Sequence, residues 1–266
     1  YHYQHSDKVN LTGWHPLFLQ DVTLAEVLRE HDYATAFVTD VYHMMKPNKN
    51  FHRGFEYWYW VRGVEDDRFN WRDLNAIQDV YEKATSWGNR PADPRAWLVQ
   101  HLNGRAQWKS DEDSLVGRVM TRASDWVREY PFDYPFFLWV DCFDPHEPWD
   151  PLPEYGKKYD PDYDEFKYLF PPGTNKNMTE DEFRGVKAAY SGEVTMVDKW
   201  IGHLLDALAD RDMMDDTLII FTSDHGCMMG EQGEIHKGAD RIRNQVTQVP
   251  LLVRHPEGTA AGTNIG

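Results

Sequence analysis

Residues 218–226 read Leu-Ile-Ile-Phe-Thr-Ser-Asp-His-Gly, and this stretch decides the fold class. Its first four side chains are apolar without interruption, which predicts a strand that is buried on both faces. The strand stops at Asp224 and His225, whose carboxylate and imidazole can both bind a metal ion, and Gly226 permits a sharp turn directly after them. Such a strand is typical of a sheet that carries a ligand site beyond its carboxyl edge.

Three further apolar runs have the length of a strand: 35–38, 136–140 and 250–253. Helical patterns separate these runs. Capping boxes predict helices that begin after Thr23 and after Thr179, and apolar residues at helical spacing predict another helix over about 114–128. Helices that alternate with apolar strands predict an α/β fold, in which a mostly parallel sheet has helices on both faces.

Polar, metal-capable side chains follow three of the four predicted strands. They are Asp40 and His43, Asp144 and His146, and Asp224 and His225. An isolated Asp-His pair is more often a helix cap beside an imidazole that is bonded to the backbone. Because the carboxyl ends of parallel strands meet at one edge of a sheet, we expect these three groups to converge on one site.

We interpret residues 1–266 as the central part of a single domain with a loop-rich insertion at about 48–110, where the sequence is aromatic, charged and irregular. Residues 149–178 are rich in Pro, Tyr, Asp and Lys, which predicts a surface loop. The chain begins without Met or a signal-peptide pattern and stops abruptly at Gly266. We therefore expect both ends of a longer protein to be absent.

Composition restricts the partners of this chain. Hydrophobic residues make up 41% and charged residues 27%, as in soluble proteins, and no stretch approaches the ~18 apolar residues that span a bilayer. The formal net charge of -16 argues against nucleic acids and membranes as partners, but a few cations inside one cleft still permit a small anionic ester as substrate. Two cysteines, Cys142 and Cys227, are too few for a disulfide framework, which favours a location in the cytoplasm. The sequence is compatible with a homo-oligomer as well as with a monomer.

The loop over residues 230–238 reads Gly-Glu-Gln-Gly-Glu-Ile-His-Lys-Gly and ends in a cation. Lys237 supplies a compact point charge, which suits a tetrahedral oxyanion such as sulfate or phosphate. A lone lysine is more often a solvated surface side chain. The flanking glycines and the nearby Asp224-His225 pair favour the oxyanion site.

The segment over residues 144–148 reads Asp-Pro-His-Glu-Pro, so two prolines stiffen a short loop around His146. A rigid histidine at a strand end can protonate a leaving group or donate to an anionic oxygen. The alternative is a turn in which His146 caps a neighbouring carbonyl. Tyr42 and His43 follow the strand at 35–38, and for them substrate contact and plain packing remain alternatives.

Taken together, these motifs resemble one family. Residues 223–226, 230–231 and 236–238 resemble the C-terminal catalytic signature of sulfatases, 250–253 resembles the strand that follows it, and 144–148 resembles the family's PH-x-P segment. Residues 39–43 and 50–63 are more similar to the phosphonate monoester hydrolase branch of the alkaline phosphatase superfamily. The resemblance covers nearly the whole chain.

The resemblance implies a hydrolase of sulfate esters with one divalent metal ion. Asp224 and His225 would bind the metal, His146 and Lys237 would be catalytic, and a further set would bind substrate: Tyr42, His43 and His236. Many sulfatases that use calcium have Asn at the position of His225, and imidazole suits manganese better than calcium. Manganese and calcium remain alternatives.

The resemblance also implies residues that this sequence does not contain. Sulfatases carry their nucleophile in a C-x-P-x-R or S-x-P-x-R motif, and neither Cys142 nor Cys227 begins one. We therefore expect this chain alone to be inactive. Three alternatives stay open: a phosphonate monoester or phosphodiester hydrolase of the same superfamily, a non-catalytic pseudoenzyme or anion-binding domain, and a metal-independent α/β domain.

Overall fold

The computed structural model describes residues 15–64, 67, 69, 77–84, 94–131, 133–238 and 240–264. Its α-helices are α1 (Leu24–Arg29), α2 (Tyr42–Met45), α3 (Gln78–Ala84), α4 (Pro94–Arg105), α5 (Leu115–Glu129), α6 (Pro153–Gly156), α7 (Glu180–Asp210) and α8 (Asn244–Thr247). Its strands are β1 (Ala34–Thr39), β2 (Tyr57–Trp60), β3 (Phe136–Asp141), β4 (Ile219–Thr222), β5 (Met228–Met229), β6 (Ile235–His236) and β7 (Leu251–Arg254).

The chain divides into two compact units. The first comprises Tyr1–Ala76, Asp93–Ala123 and Tyr130–Phe143, and the second comprises Ile77–Ala92, Ser124–Glu129 and Asp144–Gly266. In the part of the chain that the structure describes, no helix is both long enough and apolar enough to cross a membrane.

A parallel sheet in the order β2-β1-β3 organises the first unit. The central strand β1 is buried at every residue: β2 and β3 pair with its two edges, and its small, β-branched and aromatic side chains are covered on both faces of the sheet. In the register of the sheet, Thr39 lies opposite both Trp60 and Asp141, so β1 and β3 end side by side. The predictions of strands at 35–38 and 136–140 and of an α/β fold with a parallel sheet are confirmed.

Strand β2 lies inside the region that the sequence predicts to be loops and short helices. Its residues Tyr57–Trp60 are all aromatic, and aromatic side chains favour strands. The strand is partly exposed because it lies at the edge of the sheet, with β1 as its one hydrogen-bonded neighbour among the described residues. Its lack of an alternating apolar pattern explains why the sequence alone did not predict it.

The two predicted capping boxes are present. Thr23 begins α1 and Thr179 begins α7, and in each case the threonine hydroxyl accepts a hydrogen bond from the backbone N–H three residues later. Helix α5 also lies where the spacing predicts it, and Val119 and Val127 on its apolar face are fully buried.

The prediction of a surface loop over 149–178 is wrong. Trp149, Tyr163 and Tyr168 of this segment are buried in one cluster with small residues of α7. The Tyr168 ring can pack this closely on α7 because residue 185 is glycine, and a Cβ at that position would overlap the ring. The polar composition of the segment hides this packing, since its aromatic rings find their neighbours only in the folded chain.

Strand β4 differs from its prediction in its partners and its burial. Among the described residues it pairs antiparallel with β7 alone, and the side chain of Ile220 is 60% exposed. The prediction of a parallel strand buried on both faces is therefore wrong within the described chain. β1 and β3 share one sheet edge as expected, but the third predicted strand end, at Asp224, belongs to a separate strand pair. An apolar run indicates a strand without showing which element lies beside it.

Candidate active site

A short hairpin builds the loop that carries Lys237. Strands β5 and β6 pair antiparallel, and the turn between them begins at Gly230, whose φ is +105°. Glycine is required there because that backbone region disfavours other residues and because a Cβ would overlap the Phe183 ring. The second strand ends at His236, which lies opposite Met228, so Lys237 follows at the open end of the hairpin.

The Lys237 ammonium contacts two side chains of the Asp-Pro-His-Glu-Pro loop. Its Nζ lies 2.6 Å from Glu147 Oε2 and 2.7 Å from His146 Nε2. The side chains of Lys237 and Glu147 are 19% and 11% exposed, so this ion pair is shielded from water far more than a surface pair. The fold thus brings the two predicted catalytic residues together across 91 positions of the sequence.

Hydrogen bonding assigns the tautomer of His146. Its Nδ1 lies 2.6 Å from the carbonyl oxygen of Glu147, and because a carbonyl only accepts, Nδ1 carries the proton. Nε2 then has the lone pair, which accepts a hydrogen bond from the Lys237 ammonium. In this arrangement His146 orients the lysine and has no Nε2 proton to give, so its role as a general acid stays a prediction.

Glu147 is the anion among His146, Glu147, His236 and Lys237, which together we call the Lys237 cluster. Burial acts to raise the pKa of Glu147, but the His146, Lys237 and His236 side chains outweigh burial and hold that pKa below its usual value. The carboxylate is therefore charged at neutral pH. No local pattern in the sequence marks Glu147 as a site residue, because its partner Lys237 lies 90 residues away.

His236 lies on the buried side of the cluster. Its Nε2 donates to the Pro171 carbonyl over 2.6 Å, and its ring stacks on Trp149 with centroids 5.2 Å apart. Burial lowers the pKa of His236, so the imidazole is neutral at pH 7. Its Nδ1 lies 3.9 Å from Glu147 Oε1. These contacts fix the His236 ring between Trp149 and Glu147. Direct substrate contact by His236 stays a prediction.

Cys227 lies beside the same cluster and packs against its hydrophobic neighbours. Burial, and then the Glu147 carboxylate, raise the pKa of the Cys227 thiol to about 11. The thiol is therefore protonated at neutral pH, as expected for a partly buried free cysteine.

Asp224 and His225 form a second, more exposed pair in the loop after β4, with side chains that are 84% and 38% exposed. His225 Nδ1 donates to the Gly226 carbonyl over 3.0 Å, which leaves Nε2 as the nitrogen with a lone pair, 3.6 Å from Asp224 Oδ2. An imidazole that is fixed in this way by a backbone carbonyl is typical of a metal ligand.

The pair fits part of a metal coordination shell. Among the described residues no group of three or more His, Cys, Asp or Glu side chains is arranged to hold a metal ion, and neither Asp224 nor His225 contacts Lys237. A carboxylate and an imidazole supply two ligands, and a divalent ion requires more.

Tyr42 and His43 belong to the first unit, at the start of α2. Their rings are 5.5 Å apart, Tyr42 packs 6.2 Å from the Trp60 ring, and His43 Nδ1 lies 3.5 Å from Lys46 Nζ. Nearby, the buried Asp40 accepts a hydrogen bond from the backbone N–H of Phe143 over 2.8 Å, which links the ends of β1 and β3. Substrate contact by Tyr42 and His43 stays a prediction.

Sequence comparison identifies relatives of this chain. The profile of the sulfatase family matches residues 1–265. An arylsulfatase from Clostridium perfringens is 32% identical over 199 residues, which are 69% of this chain and 38% of that protein. A choline-sulfatase from Rhizobium meliloti is 37% identical over 91 residues, which are 34% of this chain and 17% of that protein.

Structure comparison agrees on the fold. A crystal structure of a phosphonate monoester hydrolase from Agrobacterium radiobacter superposes with a TM-score of 0.58 at 19% identity, covering 91% of this chain and 54% of that one. The chain thus spans less than two thirds of the length of each of these three proteins. Because the family profile covers nearly every residue, the chain belongs to the sulfatase family of the alkaline phosphatase superfamily.

Proposed function

We propose that this chain is part of a hydrolase of sulfate esters, in which Lys237 binds the sulfate group. One observation carries the proposal: the Lys237 ammonium is held by Glu147 and His146, which leaves its third N–H without a partner among the described residues. A partly shielded cation with one available donor suits an anionic oxygen. The relatives named arylsulfatase and choline-sulfatase support sulfate as the anion. Since the chain spans only part of these relatives, the activity is assigned to the whole protein.

A divalent metal ion is the cofactor of the family. Asp224 and His225 would bind it, and the lone pair on His225 Nε2 supports that assignment. When bound, such an ion polarises the ester and offsets charge on the transferring group. Both manganese and calcium accept the carboxylate, and the imidazole favours manganese.

The chain's own residues would bind and orient the substrate. Lys237 donates a hydrogen bond to a sulfate oxygen and stabilises the charge that develops there. His146 holds the ammonium through Nε2, and it must first take up a proton before it can protonate a leaving oxygen. Cys227 does not supply the nucleophile in this scheme, because its thiol is protonated at neutral pH. His236 would contact the substrate beside Lys237, and Tyr42 and His43 of the first unit are each proposed separately as substrate contacts.

The experiment that tests this function measures kcat/KM of the whole protein for para-nitrophenyl sulfate with manganese or calcium. Lys237→Ala should lower kcat/KM by about 100- to 1000-fold, the effect of losing one donor to a developing oxyanion. Lys157→Ala removes an exposed lysine after α6 and should change the rate by less than about twofold. Equal rates for wild type and Lys237→Ala would contradict the proposal.

A second candidate has a specific observation in its favour, the structural likeness to a phosphonate monoester hydrolase. Sulfate esters, phosphodiesters and phosphonate monoesters all present a tetrahedral anion to Lys237. Hydrolysis of a phosphodiester or a phenyl phosphonate in preference to the aryl sulfate would support this second candidate. If the whole protein binds sulfate and hydrolyses none of the three esters, it is a pseudoenzyme.

A further inference from the structure

Glu147 occupies the centre of the Lys237 cluster and has contacts on both carboxylate oxygens. Its Oε2 lies 2.6 Å from Lys237 Nζ and 3.6 Å from His146 Nδ1. Its Oε1 faces His236 Nδ1 at 3.9 Å. Its side chain is 11% exposed, so the carboxylate has lost most of its water and accepts a hydrogen bond from the Lys237 ammonium instead.

These neighbours come from two separate segments. Glu147 and His146 lie in the loop over 144–148, whereas His236 and Lys237 lie at the end of the β5–β6 hairpin. The Lys237–Glu147 and Lys237–His146 contacts join the hairpin to that loop. Lysine has a long, flexible side chain, so an ammonium without such a partner samples many positions.

We propose that Glu147 is a positioning residue, which holds the Lys237 ammonium against His146 so that one N–H of Lys237 is kept for the substrate. This inference rests on the proposed function for its catalytic consequence. Glu147 does not touch the substrate in this scheme. It acts through Lys237 and through the imidazole of His146, whose Nδ1–H is bonded to the carbonyl of Glu147 itself.

The negative charge of Glu147 affects anion binding as well as the position of Lys237. The carboxylate neutralises the Lys237 ammonium, so it weakens the attraction of the site for any anion while fixing the donor in place. Fixing the donor raises the rate of the chemical step, because a displacement of a reacting group by about 1 Å can lower that rate by about 100-fold. Positioning by Glu147 therefore predicts opposite effects on anion binding and on turnover.

Kinetics of Glu147→Gln test this prediction in the whole protein. The glutamine keeps the shape but removes the charge, so kcat for para-nitrophenyl sulfate should fall by about 10- to 100-fold. The inhibition constant of inorganic sulfate should stay equal or decrease, because the site becomes more positive. Glu154→Gln changes an exposed glutamate of α6 and should alter neither quantity. An unchanged kcat, or a loss of sulfate binding in parallel with kcat, would overturn the proposal.

A double-mutant cycle supplies a readout that does not depend on activity. The free energy of unfolding is measured by urea denaturation for wild type, Glu147→Gln, Lys237→Met and the double variant. Because Glu147 Oε2 lies 2.6 Å from Lys237 Nζ, the effects of the two single changes should not add. The effects of Glu154→Gln and Lys237→Met should add, because Glu154 is exposed on α6.

Glu147→Asp separates charge from reach. The shorter side chain keeps the carboxylate but withdraws it from Lys237, so kcat should fall as in Glu147→Gln while the inhibition constant of sulfate does not decrease. If the double-mutant cycle shows coupling but kcat does not fall, positioning is wrong and the proposed function stands. If wild type hydrolyses no sulfate ester, the proposed function fails, and the coupling in the cycle decides whether the Glu147–Lys237 pair exists. Additive effects of Glu147→Gln and Lys237→Met would refute the pair.

Discussion

At the scale of single residues, the site depends on which atoms of its side chains carry protons. His146 and His225 each donate from Nδ1 to a backbone carbonyl, which leaves a lone pair on Nε2. In His146 that lone pair accepts from Lys237, and in His225 it remains suited to a metal ion. Two histidines with the same tautomer thus serve different purposes, because one faces a cation and the other faces a carboxylate.

The lowered pKa of Glu147 predicts a dependence of stability on pH. A carboxyl whose pKa is lower in the folded than in the unfolded protein stabilises the fold above its unfolded pKa of about 4.3, and this contribution is lost as the pH falls through the folded value. Wild type should therefore lose stability on acidification below about pH 4.3 more steeply than Glu147→Gln. Urea unfolding at a series of pH values measures this, and equal slopes would contradict it.

At the scale of elements, the β5–β6 hairpin places Lys237, and its turn depends on Gly230. Any other residue at Gly230 meets both an unfavourable φ and the Phe183 ring on α7. The same helix supplies small residues under the aromatic segment over 149–178, whose loop carries Trp149 against His236. Helix α7 is therefore the support on which both segments of the Lys237 cluster pack.

Gly230→Ala should destabilise the protein by about 1–3 kcal/mol, the usual cost of a strained backbone conformation. It should also lower kcat for the sulfate ester, because the shifted turn moves Lys237. Gly202→Ala is the matched control, since a Cβ there meets no neighbour within 4 Å and alanine favours the helix. Chemical denaturation and steady-state kinetics measure both effects, and a Gly230→Ala protein as stable as Gly202→Ala would contradict the role of the turn.

At the scale of the whole molecule, the proposed metal ligands and the lysine proposed to bind the anion lie in different loops of the second unit. Asp224 and His225 follow β4, whereas Lys237 follows β6. Sulfatases use a divalent ion, and Asp224 and His225 are the residues that we propose to bind it. The side chains of this pair are 84% and 38% exposed, and among the described residues no third His, Cys, Asp or Glu joins them in a metal-binding group.

Removal of the metal from the whole protein by a chelator should lower its melting temperature, and manganese or calcium should restore it. Asp224→Asn and His225→Gln should each weaken metal binding by at least about tenfold, measured by calorimetric titration. Asp206→Asn replaces an exposed aspartate of α7 and should bind the metal as wild type does. Equal metal affinity in all of these proteins would exclude Asp224 and His225 as ligands.

The features of this protein that depend on neighbouring residues could be predicted from the sequence. Capping at Thr23 and Thr179 and the apolar spacing of α5 depend on residues within a few positions. The motifs at 144–148, 223–226, 230–231 and 236–238 together indicated the sulfatase family. The strand at 35–38 was predictable because β1 is buried on both faces and its run of apolar residues is unbroken.

The tertiary structure alone decided the features that depend on distant residues. It paired β4 with β7, buried the aromatic residues of 149–178 against α7, and placed Glu147 beside Lys237. A local pattern indicates the secondary-structure propensity and the amphipathicity of a segment. A contact between residues about 90 positions apart depends instead on how the chain folds back on itself. For this reason the sequence predicted His146 and Lys237 as separate motifs, and only the fold showed that a largely buried glutamate, Glu147, joins them.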